Sequence, residues 1–350
     1  MGKRVLLSVA GAGKTTEIVN SLDERRRFLV FTFTRENLKT LNEKISERHG
    51  RVPTNVHVMT YFSFLNSFCM RPLAGLQRRS RGINFDDTPP QGRYSGDQPG
   101  YYMDGARRLY VSRMAKGLTK RYPRELLERV ERFFDVVCVD EVQDFASHDF
   151  NLLLHLGQAR VDMLLAGDFE QHTYDTSRDS GTRKGLHKSR AKYIQEFRDA
   201  GFDVDTESLA QSRRCSPAVC EFISKQLGIP IQTASRRQAR IVTVMSQEEA
   251  DLLRSRSDVV KLFYQEHRRY DCHSQTWGGS KGEDHHDEIC VILNKTTLEK
   301  YRKGALSELK PRTRNKLYVA LSRSRGDVHL APHTFFRPAN GAGAESDDSD

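Results

Sequence analysis

Ser8-Val-Ala-Gly-Ala-Gly-Lys-Thr15 is the stretch on which the fold turns. It follows an apolar run, residues 4–9, and opens a helical pattern at Thr15. That strand–loop–helix context is what a phosphate-binding loop requires. Gly11 and Gly13 let backbone N–H groups turn inward around phosphate oxygens. Lys14 adds a point charge at the β- and γ-phosphates, and Thr15 supplies a hydroxyl for Mg²⁺. Thr16 is counted with the nucleotide-binding residues. The first position is Ser8 where the general pattern has Gly.

Working outward, apolar runs at residues 28–34, 56–60, 134–139 and 163–166 read as strands, with helical patterns between them. One such pattern places Leu38, Leu41 and Ile45 on one face. Strand followed by helix, repeated, predicts a parallel sheet covered on both faces. Past Gly201 the pattern restarts. A helix opens at Ser216-Pro217, strands follow at 240–245, 258–264 and 288–293, and a helix over 314–324 precedes a last strand at 328–331. The expectation is an α/β chain of two domains. Residues 1–70 and 133–201 form the first and 202–338 the second. Residues 339–350 are an acidic, disordered tail.

Residues 71–132 break the alternation. They hold fourteen Lys/Arg against seven Asp/Glu, with Gly, Pro and Tyr scattered through 82–102. The segment reads as a small basic insertion in the first domain: a loop, then one or two basic helices. Arg107, Arg108 and Arg113 are its candidates for tracking a nucleic-acid strand; the bland alternative is a solvated basic face. The chain as a whole carries a net charge of +10 over 350 residues, which suggests a polyanionic partner. With 37% apolar residues it has the material for ordinary soluble cores. No apolar run is long enough to span a bilayer, so no membrane is expected. The six cysteines form no CxxC pair and read as reduced thiols of a cytoplasmic protein in a bacterial or phage-infected cell. Cys272-His273 with His285-His286 falls short of four metal ligands at standard spacing.

The second chemical signal is Val136-Val-Cys-Val-Asp-Glu-Val-Gln-Asp144, an apolar strand ending in two carboxylates. Asp140 at the strand end is placed to hold Mg²⁺ and Glu141 to orient or deprotonate an attacking water. Here the sequence resembles the UvrD/PcrA/Rep group of superfamily 1 helicases, whose motifs follow in order. Asp140-Glu-Val-Gln-Asp144 resembles motif II and Phe31-Thr-Phe-Thr34 motif Ia. Val58-Met-Thr-Tyr-Phe-Ser-Phe64 resembles the threonine-aromatic segment after it. Leu165-Ala-Gly-Asp-Phe-Glu-Gln171 through Tyr174 resembles motif III. Leu209-Ala-Gln-Ser-Arg-Arg214, Thr276-Trp-Gly-Gly-Ser-Lys-Gly-Glu-Asp284 and Tyr318-Val-Ala-Leu-Ser-Arg-Ser-Arg325 resemble motifs IV, V and VI.

The resemblance implies two RecA-like domains with ATP and Mg²⁺ in the cleft between them. It implies a motor on single-stranded DNA, with 3′-to-5′ movement. Gln171 matches the glutamine that senses the γ-phosphate, and Arg214 and Arg323 the two arginines aimed at it. Asp284 matches a ribose-contacting acid. Phe33, Thr34, Thr60 and Tyr174 match positions that touch the strand. The departures are specific. No glutamine precedes Ser8, and Arg213 stands where a tyrosine stacks on adenine, so base recognition is expected to be loose. Thr176 replaces a tryptophan, and Gly278-Gly279 replaces His-Ser. The large accessory inserts are nearly absent. Other readings remain open: a translocase that strips proteins and scarcely unwinds, and a nucleic-acid-stimulated ATPase that signals to or loads a protein partner. RNA as the track also remains open.

Overall fold

The computed structural model describes residues 2–73, 80–90, 92–96, 98–173, 182–183, 185–283 and 285–338. The acidic tail, Tyr174, Thr176 and Asp284 lie outside the described residues. The chain divides into two compact units. The first comprises residues 1–8 and 13–209, and the second residues 9–12 and 210–350.

The first unit is built on β1 (Lys3–Leu7), β2 (Phe28–Thr32), β3 (Val56–Thr60), β4 (Gly82–Asn84), β5 (Arg108–Tyr110), β6 (Val136–Asp140), β7 (Asp162–Gly167) and β8 (Asp203–Asp205). Six of these form a sheet in the order β3-β2-β6-β7-β1-β8, every pairing parallel. β2 and β6 are buried at every position, as strands covered on both faces must be. The covering helices include α1 (Lys14–Ser21), α2 (Arg35–His49), α3 (Val111–Arg121), α4 (Pro123–Phe133), α5 (Ser147–Leu156) and α6 (Arg190–Asp199). Caps fix where two of them begin. Thr34 accepts the Asn37 N–H at the start of α2, and Ser189 accepts the Lys192 N–H at the start of α6. Leu41 and Ile45 of α2 are buried as expected, together with Asn37, while Leu38 is only half-buried.

The insertion contains helices, as expected, but they are not the solvated basic face that was the bland alternative. Met114, Ala115 and Leu118 of α3, with Leu126 and Val130 of α4, lie in the same core as Phe31, Phe64 and Phe150. A helix with one apolar stripe buries that stripe where a core is available, and each large side chain so buried stabilises by about 1.5–3 kcal/mol. The segment also contains a parallel ladder, β4 beside β5, that the sequence pattern does not show.

The second unit holds a two-stranded ladder of β9 (Gln211–Ser212) and β10 (Gln232–Thr233). Its main sheet uses β11 (Ile241–Thr243), β12 (Val260–Phe263), β13 (Ser274–Thr276), β14 (Ile289–Leu293) and β15 (Val328–Pro332). The order is β11-β15-β14-β12-β13, again parallel throughout. Its helices include α7 (Pro217–Phe222), α8 (Gln247–Ser255), α9 (Lys295–Arg302) and α10 (Pro311–Leu321). Ser216 caps α7, with Pro217 in the first turn. Trp277 is fully buried and its indole N–H donates to the Leu262 carbonyl at 2.9 Å. Both units are thus α/β with parallel sheets, the RecA-like architecture. Among the described residues no helix is long and apolar enough to cross a membrane.

Candidate active site and nucleic-acid interface

In the first sheet β6, β7 and β1 are neighbours, so their carboxyl ends lie side by side. In open parallel sheets that edge is where ligands bind. β1 leads to the phosphate loop, β6 ends in Asp140, and β7 ends at Gly167 before Asp168. Gly13, with φ 101°, stands immediately before α1 in a left-handed conformation that suits glycine. Lys14 is buried at the first position of that helix, and Thr16 is exposed in its first turn. The Ser8 hydroxyl donates to the Gly167 carbonyl at 3.1 Å, tying the start of the loop to β7.

Thr15 and Asp140 meet directly: the threonine hydroxyl donates to Asp140 Oδ2 at 2.9 Å. Burial, then the neighbouring charge of Glu141, push Asp140 up to about 6, against the opposing pull of Lys14 and Thr15. A desolvated carboxylate beside a second one calls for positive charge. Hard oxygen donors of this kind suit Mg²⁺, so the residues present fit that ion.

Glu141 has φ 59° and ψ 48°, a left-handed conformation that costs a residue with a side chain roughly 1–3 kcal/mol. The turn is held from outside. Asp140 Oδ1 accepts the Glu141 N–H at 3.0 Å, and the Gln143 side-chain amide donates to Glu141 Oε2. Gln143 Oε1 in turn accepts the Asp168 N–H at 3.0 Å, and Asp168 Oδ2 accepts from Gln171 Nε2 at 2.9 Å. One hydrogen-bonded line therefore runs Glu141–Gln143–Asp168–Gln171 across the ends of β6 and β7. Gln143 received no role from the sequence, although it stands inside a quoted motif. Its signal was an amide between Val142 and Asp144, two positions after the paired carboxylates.

The second unit gathers the other candidates. The Gly11 carbonyl accepts the Arg213 N–H at 2.9 Å, and the Ala10 N–H donates to the Tyr318 hydroxyl at 2.8 Å. Gly11 has φ +71°, and a Cβ there would stand 2.6 Å from Arg214 Cβ, so only glycine fits. Arg214 donates to the Ser322 carbonyl at 3.1 Å. Arg323 is 2% exposed. Its guanidinium donates to the Val319 carbonyl at 2.9 Å, the Glu283 carbonyl at 3.0 Å and the Ser322 hydroxyl at 3.2 Å. Arg213 has an exposed side chain.

The expected strand contacts have structural employment of their own. Phe33 is half-buried, 5.6 Å from Tyr61 and 5.8 Å from Phe145 between ring centroids. Thr34 and Thr60 act as helix caps, Thr60 accepting the Ser63 N–H at 3.1 Å. One expectation is overturned. Arg113 is not a surface cation: it is 3% exposed and donates to the Tyr101 carbonyl and, at 3.1 Å, to the Pro90 carbonyl. Its guanidinium lies 3.8 Å from the Tyr101 ring centroid. Arg108 is exposed yet committed to Asp104 at 2.7 Å, while Arg107 is exposed.

A loop of phosphate-binding pattern and a pair of adjacent carboxylates thus stand together at the carboxyl edge of the first unit's parallel sheet. The family follows from the sequence match: the chain belongs to the viral superfamily 1 RNA helicase core domain family, whose model matches residues 109–331. The matched span contains Asp140 and Glu141, Gln171, Arg214 and Arg323; the phosphate loop lies before it. Membership places residues 109–331 in a helicase core domain. No curated protein matches the chain. Among solved structures it is similar to arterivirus nonstructural protein 10, a helicase in complex with DNA. The identity is 13% and the TM-score 0.48, covering 94% of this chain and 60% of that one. The chain therefore spans about 60% of the length of that structure.

Proposed function

We propose that the chain is an ATP-driven motor that binds single-stranded nucleic acid and moves along it. The observation that carries this reading is the cluster of Lys14, Thr15, Asp140 and Glu141 at one sheet edge, with Thr15 and Asp140 in direct contact. Gly11, Gly13, Lys14 and Thr16 bind the triphosphate, and Thr15 and Asp140 hold Mg²⁺. That ion, when bound, neutralises phosphate charge. Glu141 takes the proton of the attacking water. Gln171 senses the γ-phosphate. Arg214 and Arg323 present planar cations to the charge that builds up in phosphoryl transfer. Asp284 contacts the ribose and Arg213 the base. Phe33, Thr34, Thr60 and Tyr174 touch the strand. The working division is the one proposed from sequence: 1–70 with 133–201, 202–338, and 71–132 as a reduced accessory insertion.

The likeness to UvrD, PcrA and Rep argues for a DNA track and 3′-to-5′ travel. The matched family is described by RNA helicases, so track and direction are decided by measurement. ATPase should rise sharply with single strands, compared as DNA and RNA. Displacement of blocks from strands with a free 3′ or 5′ end reads direction. An ATPase indifferent to every single strand sinks the motor. The second reading, a translocase that strips proteins or loads a partner without processive unwinding, is favoured by the burial of the insertion's helices in the first core.

A further inference from the structure

Among the described residues of the insertion, Phe85 presents a large aromatic side chain to solvent, 58% exposed. A single exposed apolar residue is ordinary. This one is held in place by a buried polar anchor. Asn84 is 4% exposed, and its Oδ1 accepts the N–H groups of Asp86 at 3.2 Å and Asp87 at 2.9 Å, a side-chain turn that fixes the backbone around Phe85. Asn84 Nδ2 donates to Asp104 at 2.7 Å and to Asp87. Arg108 closes the frame on Asp104 at 2.7 Å and Asp87 at 3.5 Å. The Phe85 ring lies 5.1 Å from that of Phe62, with the planes at 52°. Phe62 is two residues from Thr60, in the segment expected to touch the strand.

Cations stand at the other end of the same ladder. β4 and β5 run parallel, and the Arg81 N–H donates to the Arg107 carbonyl at 2.8 Å, one residue before the ladder begins. Both arginines are exposed. Four residues of extended chain separate Arg81 from Phe85, about 13 Å, a span that a few nucleotides cover. Two carboxylates follow Phe85: Asp86 is exposed, and Asp87 is occupied by Asn84 and Arg108.

We propose that Phe85 is a base-stacking residue: an unpaired nucleobase rests on its exposed face, backed by Phe62, with Arg81 and Arg107 on phosphates a few nucleotides along the strand. The proposal rests on the reading that the chain binds single strands. An exposed ring with paired cations about 13 Å away along the ladder suits a strand whose base stacks on the ring while phosphates a few nucleotides on meet the cations. A protein partner's anchor would instead sit within a wider apolar patch. Pre-organisation adds affinity, since the ring pays little ordering entropy on binding.

The test compares wild type, Phe85→Ala and Phe85→Trp by fluorescence anisotropy. The probes are a base-bearing strand and an abasic strand of equal length, titrated over a range of salt. Phe85→Ala should weaken base-bearing strands about tenfold, and Phe85→Trp should restore them. The log–log salt slope should not change, because no phosphate contact is removed. On the abasic strand Phe85→Ala should bind like wild type. Equal binding of base-bearing strands by wild type and Phe85→Ala removes this proposal alone. An equal loss on both strands also removes it, in favour of a role in shaping the protein surface. A wild-type protein that binds no strand, DNA or RNA, removes the parent reading and this one with it.

Discussion

At the scale of single residues, Glu141 is where the chain spends conformational energy. Its left-handed backbone costs roughly 1–3 kcal/mol, and hydrogen bonds from Gln143 and to Asp140 hold it there. Glu141→Gln should bind nucleotide normally and lose hydrolysis, because the amide keeps the shape of the turn but accepts no proton. Single-turnover ATPase beside equilibrium nucleotide binding checks this, with Lys14→Ala expected to lose binding as well. Hydrolysis by Glu141→Gln at the wild-type rate would give the base to another residue. Arg113 supplies the opposite lesson. Its two carbonyl partners and the Tyr101 ring make it a strut of the insertion. Arg113→Ala should destabilise the insertion by about 2–4 kcal/mol, since buried charge-assisted hydrogen bonds and a desolvated cation–π contact are lost together. Hydrogen exchange in residues 98–121 should quicken. Arg107→Ala should leave that exchange unchanged and weaken strand binding instead. The reverse pattern would return Arg113 to the surface role.

At the scale of elements, the ends of β6 and β7 act as one piece through Gln143. Gly167 makes that possible: a Cβ there would come within 2.7 Å of Val142 Cγ1 and 3.1 Å of the Val142 N, and closer still to Gln143 Oε1. Gly167→Ala should therefore push Gln143 off both Glu141 and Asp168. Misplacement of a catalytic group by about 1 Å costs on the order of a hundredfold in rate. Hydrolysis should fall by about that factor while nucleotide affinity stays within a few-fold. The double variant with Gln143→Ala should be no worse than either single one, because both break the same link. Additive losses would mean that the two residues act separately. The placement of Lys14 and Thr15 at a helix start and of Asp140 and Glu141 at a strand end was legible in the sequence, because such placements are local. Gln143's bridge was not legible, since it depends on a turn that brings β7 to β6. Nor was the burial of Arg113, whose partners come from Pro90 and Tyr101, far along a segment without periodicity. The β4–β5 ladder is three residues long on each strand, too short for an alternation to show. The parallel sheets, by contrast, followed from repeated apolar runs between helical patterns.

At the scale of the whole molecule, the proposed motor meets duplexes as well as single strands. Translocation requires ATP turnover and a strand path. Separating base pairs also requires a surface that holds the duplex ahead of the strand. In the helicases that the sequence resembles, large accessory inserts supply that surface. Here the insertion is short, and its helices α3 and α4 spend their apolar faces on the first core. Arg113 is interior and Arg108 is committed to Asp104 and Asp87. Exposed on the described part of the insertion are Phe85, Arg81 and Arg107, which form a ledge beside the β4–β5 ladder, and elsewhere Arg93, Lys120, Arg124 and Arg132. Each base-pair step costs on the order of 1.4 kcal/mol to open, so a motor without a firm duplex grip slips back often. The isolated chain should clear a protein block from a single strand readily, yet unwind poorly beyond short duplexes. Removing the ledge cations with Arg81→Ala and Arg107→Ala should reduce unwinding more than strand-stimulated ATPase. A displacement assay on tailed duplexes of increasing length, run at limiting protein with a trap for free enzyme, reads this directly. Processive opening of long duplexes by a single monomer would refute it, and would mean that the insertion holds the duplex.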